Sequence, residues 1–254
     1  MTDTFVPALM PRAAGAEAAN PRFRNVPDYL RKYYWWTYIH PRAVKFFERQ
    51  WLVNAILWGN YGRLRDCALA ELDSHTPLSG DEPTATLQVA CAYGDLTVRL
   101  TKESCANGRL DVVDVLPIQL QNLRAKLPKR DTVRLMTMNA ADLRIPDRSY
   151  DRALVFFLLH EQPRDIRERT LREVARVMKP GGKIVIVDYA RPRLWHPARY
   201  LWRIVLAAFE PFALDLWRDD IAAWMPAEGV RQTGIRRFFG GLYQMAVFTR
   251  EPNP

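Results

Sequence analysis

Groups able to do chemistry stand directly after apolar runs of strand length at several places: Cys91 to Asp95, Asp114, Asn139 to Asp142, His160-Glu161 and Asp188-Tyr189. Asp114 is a carboxylate that can accept hydrogen bonds from both ribose hydroxyls of a nucleoside, or can cap the helix that follows it. Asn139-Ala140 can read an adenine edge through an amide side chain or the backbone. His160 beside Glu161 suits acid–base work or two ligands of a divalent cation; taken alone, the pair reads more simply as a helix cap with a hydrogen-bonded histidine. Asp188 can supply a further oxygen ligand or orient a substrate. Together with Asp95 and Glu161 it would make an oxygen-rich site with one imidazole, a set that suits Mn or Mg better than Zn.

Strands and helices alternating over residues 85–190 must position these groups. Thr86–Ala90, Leu110–Val113, Val133–Met138, Ala153–Leu158 and Lys183–Val187 are short apolar runs. Between them, Pro117–Leu127 carries Ile118, Leu120, Leu123 and Leu127 at helical spacing. Ile166–Met178 is amphipathic and halted by Pro180-Gly181-Gly182. The unbroken apolar run Ala153–Leu158 has the character of a central strand buried on both faces. Such alternation implies right-handed crossovers and a mostly parallel α/β sheet. An open parallel sheet gathers its ligands beyond the carboxyl ends of its strands, so these groups should converge on one crevice. A strand pair, Arg236–Phe239 and Tyr243–Thr249 joined at Gly240-Gly241, ends the sheet.

The first strand-to-helix turn departs from the usual pattern. Gly94 sits where a ligand must approach the backbone closely. Loops of this kind hold two or three glycines; here Ala90 and Ala92 stand in such places and Tyr93 is bulky. A dinucleotide fingerprint is absent, which disfavours NAD.

At 254 residues, 48% hydrophobic and 26% charged, the chain can bury one α/β core with a helical attachment. The expected organisation is a disordered Ala/Pro tail over 1–25 and a helical aromatic lid over 26–84, ending in a linker at Asp73–Pro83. An α/β domain follows over 85–254, with a helical insertion at about 191–222. Pro41–Trp58 sets Val44, Phe47, Trp51 and Trp58 near one helical face, widened by Phe46, Val53 and Leu57. His196–Phe209 offers Tyr200, Trp202, Ile204, Val205 and Phe209 beside Arg193, Arg199 and Arg203. Such faces suit helices at a membrane interface, or a lid that buries them; a lid whose outer rim touches lipid combines the two.

The net charge of +9 calls for an anionic partner. Its basic residues are dispersed among Trp and Leu, which favours a membrane surface over nucleic acid. No apolar run approaches the roughly 20 residues needed to cross a bilayer, and a secretory signal is not expected at the N-terminus. Cys67, Cys91 and Cys105 show no metal-ligand spacing and leave one unpaired in any disulfide scheme, so a reducing compartment is expected.

Three stretches resemble the class I S-adenosylmethionine-dependent methyltransferases, and within them the quinone-modifying branch: Leu87 to Asp95 (LQVACAYGD), Val113 to Pro117 (VDVLP), and Leu171 to Gly182 (LREVARVMKPGG) continuing to Tyr189. A closer resemblance, from about Val26 to near the C-terminus, is to the rhodoquinone biosynthesis family. It rests on Tyr33 to Tyr38 (YYWWTY), Phe47 to Asn60 (FERQWLVNAILWGN) and the altered loop Val89 to Asp95 (VACAYGD). The resemblance implies a Rossmann-like three-layer sandwich under an N-terminal helical lid. It implies that a ring methoxy group of ubiquinone is replaced by an amino group, with S-adenosylmethionine as amino donor and Mn(II) assisting. Matched to the motifs, the cofactor residues are Gln88, Ala90, Cys91, Tyr93, Gly94, Asp114, Val115, Asn139, Ala140 and Phe157. From their places at the strand ends, the candidate catalytic residues are Tyr93, His160, Glu161 and Asp188, and the candidate metal ligands Asp95, His160 and Glu161. Peripheral contact with the inner face of the cytoplasmic membrane follows from the substrate.

In ordinary members of the superfamily an acidic residue and several glycines hold the amino-acid end of the cofactor; here Gln88 replaces the acid. An ammonium has no lone pair, so removing the carboxylate lowers the amine's pKa and frees it to attack a quinone carbon. A cation near Asp95, His160 and Glu161 would polarise the quinone oxygen; Tyr93 can hydrogen-bond that oxygen or merely cover the site. Two rivals stand beside this reading. A conventional quinone or phenol methyltransferase would release S-adenosylhomocysteine, and a non-catalytic assembly protein would tolerate Asp114→Ala.

Overall fold

The computed structural model describes residues 26–39, 41–74, 83–104, 108–129, 132–197 and 199–252. The tail expected at 1–25, most of the linker at 73–83, and Cys105 lie outside them. The sheet has seven strands: β1 (Thr84–Val89), β2 (Gly108–Asp114), β3 (Val133–Thr137), β4 (Tyr150–Phe156), β5 (Met178–Tyr189), β6 (Val230–Phe238) and β7 (Tyr243–Arg250). Their order is β3-β2-β1-β4-β5-β7-β6. The first five run parallel, and β7 lies antiparallel between β5 and β6. The chain winds outward from β1 through β2 to β3, then returns to the other side of β1 as β4. This reversal is the switch point where a doubly wound sheet opens a crevice.

β4 is buried at every position, as its unbroken apolar run requires. Each Val or Leu it sequesters contributes about 1.5–3 kcal/mol, so the centre of the sheet anchors the main core. Helices α1 (Pro41–Phe47), α2 (Gln50–Ile56), α3 (Tyr61–Asp73), α4 (Leu96–Ser104), α5 (Pro117–Lys126), α6 (Arg164–Val177) and α7 (Arg199–Phe209) flank it, with a wide π-type helix at Leu30–Ile39 ahead of α1. The expected α/β class, parallel core and closing strand pair are all present. α6 ends at Val177, and Met178 already pairs with Tyr150. Pro180-Gly181-Gly182 forms a bulge in β5 before the ladder resumes at Lys183 opposite Arg152.

Two features differ from the sequence reading. The single helix expected over Pro41–Trp58 is broken at Glu48-Arg49, where Arg49 is extended (φ −65°, ψ 117°). Apolar spacing carries across the break because both short helices pack on the same body, yet the predicted stripe is split. Val44 is buried while Trp51 points to solvent. Helix α3, counted with the lid by its position before the linker, instead shares the main core through Tyr61, Leu64, Leu69 and Leu72.

Candidate active site

Beyond the carboxyl ends of β1, β2 and β4 lies a cavity of about 460 Å³, within the range of roughly 300–1,000 Å³ typical of small-molecule sites. Three of the five described non-glycine residues with positive φ line it: Trp58 (51°), Ala90 (69°) and Phe157 (52°). Such backbone is strained for any residue with a Cβ and persists where surrounding structure enforces it. Ala90 therefore stands at a position a glycine would occupy without strain, and its N–H is held by Val113 O at 2.8 Å.

Asp114 ends β2 and faces the cavity. Its Oδ2 accepts the Cys91 N–H and its Oδ1 the Leu116 N–H, both at 2.8 Å. Burial lifts its carboxyl to a pKa of about 6 against these hydrogen bonds. Each oxygen keeps capacity for another donor, so the pair fits two ribose hydroxyls. Burial also pushes the Cys91 thiol up, and the neighbouring Asp114 adds to this, leaving a neutral sulfhydryl. Val115, Asn139, Ala140 and Phe157 line the same wall.

The loop after β1 is held from outside the sheet. Tyr61 of α3 receives the N–H groups of Asp95 (2.9 Å) and Leu96 (3.0 Å) on its hydroxyl and donates to Asp95 Oδ1 (3.1 Å). A Cβ on Gly94 would come within 2.6 Å of that hydroxyl. Glu48, at the break between α1 and α2, accepts the Gly94 N–H at 3.0 Å and is bound by Asn122 and Lys126 of α5. Tyr93 stacks on Phe47 of α1 with ring centres 6.2 Å apart, and its hydroxyl accepts Gln119 Nε2 at 2.9 Å. It lines the cavity without filling it.

On the opposite wall, His160 Nδ1 lies 2.9 Å from Asp188 Oδ1. Asp188 is fully buried at the end of β5 and also accepts the N–H groups of Leu159 (2.8 Å) and Tyr189 (2.7 Å). Burial works against a charge on the ring, but Asp188, with Glu210 and Glu161 behind it, raises the His160 pKa from 6.5 to about 9. The buried carboxylates thus favour the protonated ring. Its Nε2 lies 3.8 Å from Glu161 Oε1. Edge-on contacts with Tyr189 and Phe157, at 4.9 and 5.9 Å between ring centres, fix the ring.

Ala90, Cys91, Tyr93, Asp114, Val115, Asn139, Ala140, Phe157, His160 and Glu161 therefore converge as the spacing implied. Four candidates are placed otherwise. Gln88 is fully buried beneath the loop, where its Nε2 donates to Ala90 O at 3.0 Å and its Oε1 has no partner among the described residues. Gly94 bends the loop without lining the cavity. Asp188 does not line the cavity; its carboxylate lies on His160 Nδ1 and accepts the Leu159 and Tyr189 N–H groups. The Asp95 carboxylate is taken by Arg65 (2.6 Å) and Arg99 (3.0 Å). Burial acts the other way, yet these guanidinium hydrogen bonds hold its carboxyl below the usual range. The ligand set Asp95, His160 and Glu161 is thus not assembled. Among the described residues no group of three or more His, Cys, Asp or Glu could hold a metal ion. Manganese does not fit this site.

Sequence reasoning missed Glu210, Glu48, Gln119 and Tyr29. Glu210 follows α7, lines the cavity, and has its pKa raised by burial while His160 pulls it down. One signal for it existed, since an acid just past a helix C-terminus is opposed by the helix dipole and so needs another reason to be there. Glu48, Gln119 and Tyr29 reach the site only through tertiary packing.

Residues 72–221 match the ubiE/COQ5 methyltransferase family. The demethylmenaquinone methyltransferase of Listeria monocytogenes is 27% identical over 65% of this chain and 70% of its own. The ubiquinone/menaquinone biosynthesis C-methyltransferase UbiE of Rhodopseudomonas palustris is 30% identical over 55% of this chain and 54% of its own. Among solved structures, the N-methyltransferase NodS of Bradyrhizobium japonicum, in complex with S-adenosyl-L-homocysteine, superposes with a TM-score of 0.52 at 16% identity. That match covers 75% of this chain and 87% of NodS. The mitomycin 7-O-methyltransferase MmcR gives a TM-score of 0.61 at 18% identity, over 83% of this chain and 58% of its own. At these identities the structural matches establish the fold alone, a Rossmann-like class I methyltransferase sheet.

Proposed function

This chain belongs to the ubiE/COQ5 methyltransferase family, and from that premise we propose that it uses S-adenosylmethionine to replace a ring methoxy group of ubiquinone by an amino group. The observation that carries this reading is the Gln88 amide at the end of β1, where ordinary superfamily members hold a carboxylate. Buried beneath the loop, this amide leaves no negative charge there to keep a nearby amine in its charged form. S-adenosylmethionine, when bound, supplies either a nucleophilic amine or an electrophilic methyl group. The chain binds and orients both partners and handles the proton of the departing methoxide.

Asp114 grips the ribose. His160, cationic and oriented by Asp188, donates a hydrogen bond to a quinone carbonyl oxygen and draws electron density from the ring. The proton that departing methoxide needs is then within reach on the same imidazole. Tyr93 and Phe47 close the site against water. No step is routed through manganese, whose ligands are not assembled. The apolar wall of Leu57, Trp202, Val205 and Leu206 suits an isoprenoid tail. Such a substrate brings the enzyme to the inner face of the cytoplasmic membrane.

A second reading, methyl transfer to a quinone ring carbon, is supported by the names of quinone methyltransferases similar to this chain. The same His160 would then stabilise a quinol oxyanion. Mass spectrometry of the quinone after incubation of purified protein with S-adenosylmethionine separates them. Methoxy-to-amino exchange is the expected result; gain of a methyl group with S-adenosylhomocysteine release supports the second reading; an unchanged quinone overturns both. Gln88→Asp should slow the amination about tenfold or more, because a restored carboxylate keeps the amine protonated; an unchanged rate removes Gln88 from the argument.

A further inference from the structure

The lid and α7 carry more exposed apolar surface than packing alone explains. Trp51, Trp195, Tyr200, Leu201 and Ile204 all face outward, Ile204 at 68% exposure. Scattered exposed apolar residues need no explanation, but contiguous ones mark an interaction surface. These helices are neighbours, since Trp58, just past α2, meets Trp202 of α7 with ring centres 5.7 Å apart.

A second observation links this surface to the cavity. Ile56, Trp58 and Phe209 line the cavity and are also exposed at 41%, 47% and 51%. Residues that do both stand at a mouth. The mouth is therefore rimmed by apolar side chains from α2, its C-terminal turn and α7. A substrate arriving from water gains nothing from such a rim.

A third observation is charge. Arg193 and Arg203 are exposed beside the α7 stripe, Arg199 sits in its first turn, and Arg49 opens α2. Among the described residues no helix is long and apolar enough to cross a membrane. Helices that present Trp, Leu and Ile with an arginine fringe lie in the plane of a bilayer interface. A two-fold copy of this chain is the poorer occupant, because symmetry would set the same cationic fringe against itself.

We infer that α2 and α7 form a portal seated on an anionic bilayer, through which a ring with a polyprenyl tail passes sideways from the leaflet to His160. The tail stays in lipid while the ring reacts. The inference rests on the quinone reading for the identity of what passes, but not for the docking itself.

The test uses the full chain, the Leu201→Glu/Ile204→Glu double variant, and a milder Leu201→Ser/Ile204→Ser variant in case the first disturbs folding. Neither residue lines the cavity. Flotation with vesicles of phosphatidylcholine plus phosphatidylglycerol should recover the natural chain. The serine variant should bind about tenfold more weakly and the glutamate variant not measurably, with high salt weakening all binding. The KM for a long-tailed quinone in vesicles should rise about tenfold while turnover of a tailless quinone in solution stays unchanged. Unaltered vesicle binding by both variants overturns the portal. So does an equal loss of activity on both quinones, or a dimer broken by the substitutions with vesicle binding intact. If neither quinone is turned over by the natural chain but its vesicle binding depends on Leu201 and Ile204, the quinone reading fails and the docking surface stands.

Discussion

The two walls of the cavity are built by different rules. On the cofactor wall, Ala90, Cys91, Asp114, Asn139 and Ala140 all follow a parallel strand, so their positions are set by the register of the sheet. On the opposite wall His160 also stands at a strand end, but Tyr29, Phe47, Trp58, Trp202 and Glu210 around it come from helices or the turns that follow them and are set by apolar packing. In the proposed reading, the first arrangement ties recognition of a nucleoside to the fold itself. The second lets the acceptor change by repacking helices without disturbing the sheet. This is the division expected of a fold that serves one cofactor and many substrates.

The sharpest way to break this division is Asp114→Ala. It removes acceptors for two hydrogen bonds to a charged group, at about 1.5–3 kcal/mol each, so cofactor affinity by calorimetry should fall on the order of a hundredfold or more. A change in the quinone KM with cofactor affinity intact would mean the walls are assigned the wrong way round. Next in size is His160→Gln, which should cut kcat by roughly 10²–10³ and leave cofactor affinity within about twofold.

The pH dependence sharpens the same contrast. His160 has its pKa raised from 6.5 to about 9, so the folded state binds more protons than the unfolded one between those values. The stability this pair provides is complete below 6.5 and is lost as pH rises through about 9. The kcat should fall over the same upper range, and Asp188→Asn should move that fall to lower pH. Asp114, lifted to about 6, ionises at the other end; cofactor affinity should drop as pH falls below that value while kcat at saturation holds. Titration of both parameters in one buffer series checks whether each wall answers to its own group.

The smallest effect is expected of Glu48→Gln, which spans the two walls. It weakens the ionic tie between the lid and Lys126 but keeps an acceptor for the Gly94 N–H. The melting temperature should fall by about 2–4 °C, with a few-fold loss of cofactor affinity. No change in either would show that the lid and loop are independent.

Legibility in the sequence follows the same line. Asp114, Asn139 and His160 could be placed because an apolar strand followed by a polar residue puts that residue at the sheet's edge. Asp95 was misjudged, since an acid after the loop glycine looks like a ligand until Arg65 of α3 and Arg99 of α4 are seen on it. Arg65 is a tertiary partner that leaves no periodic trace, whereas Arg99 stands four residues on, at the i, i+4 spacing of a local ion pair. Asp188 was found but its role was not, because the direction in which a strand-end carboxylate points depends on what it caps. Here it caps Leu159 and His160. The break at Glu48-Arg49 was invisible because both sides of it kept helical spacing.

Tyr61 and Gly94 have a consequence for how this protein can vary. The phenol fills the space a side chain at 94 would need, and the loop's φ of +84° excludes one on separate grounds. Tyr61→Phe would keep the bulk yet strip two amides and a carboxylate of their shared partner. Gly94 therefore cannot gain a side chain even where Tyr61 is lost, while replacing Tyr61 costs the loop its shared hydrogen-bond partner.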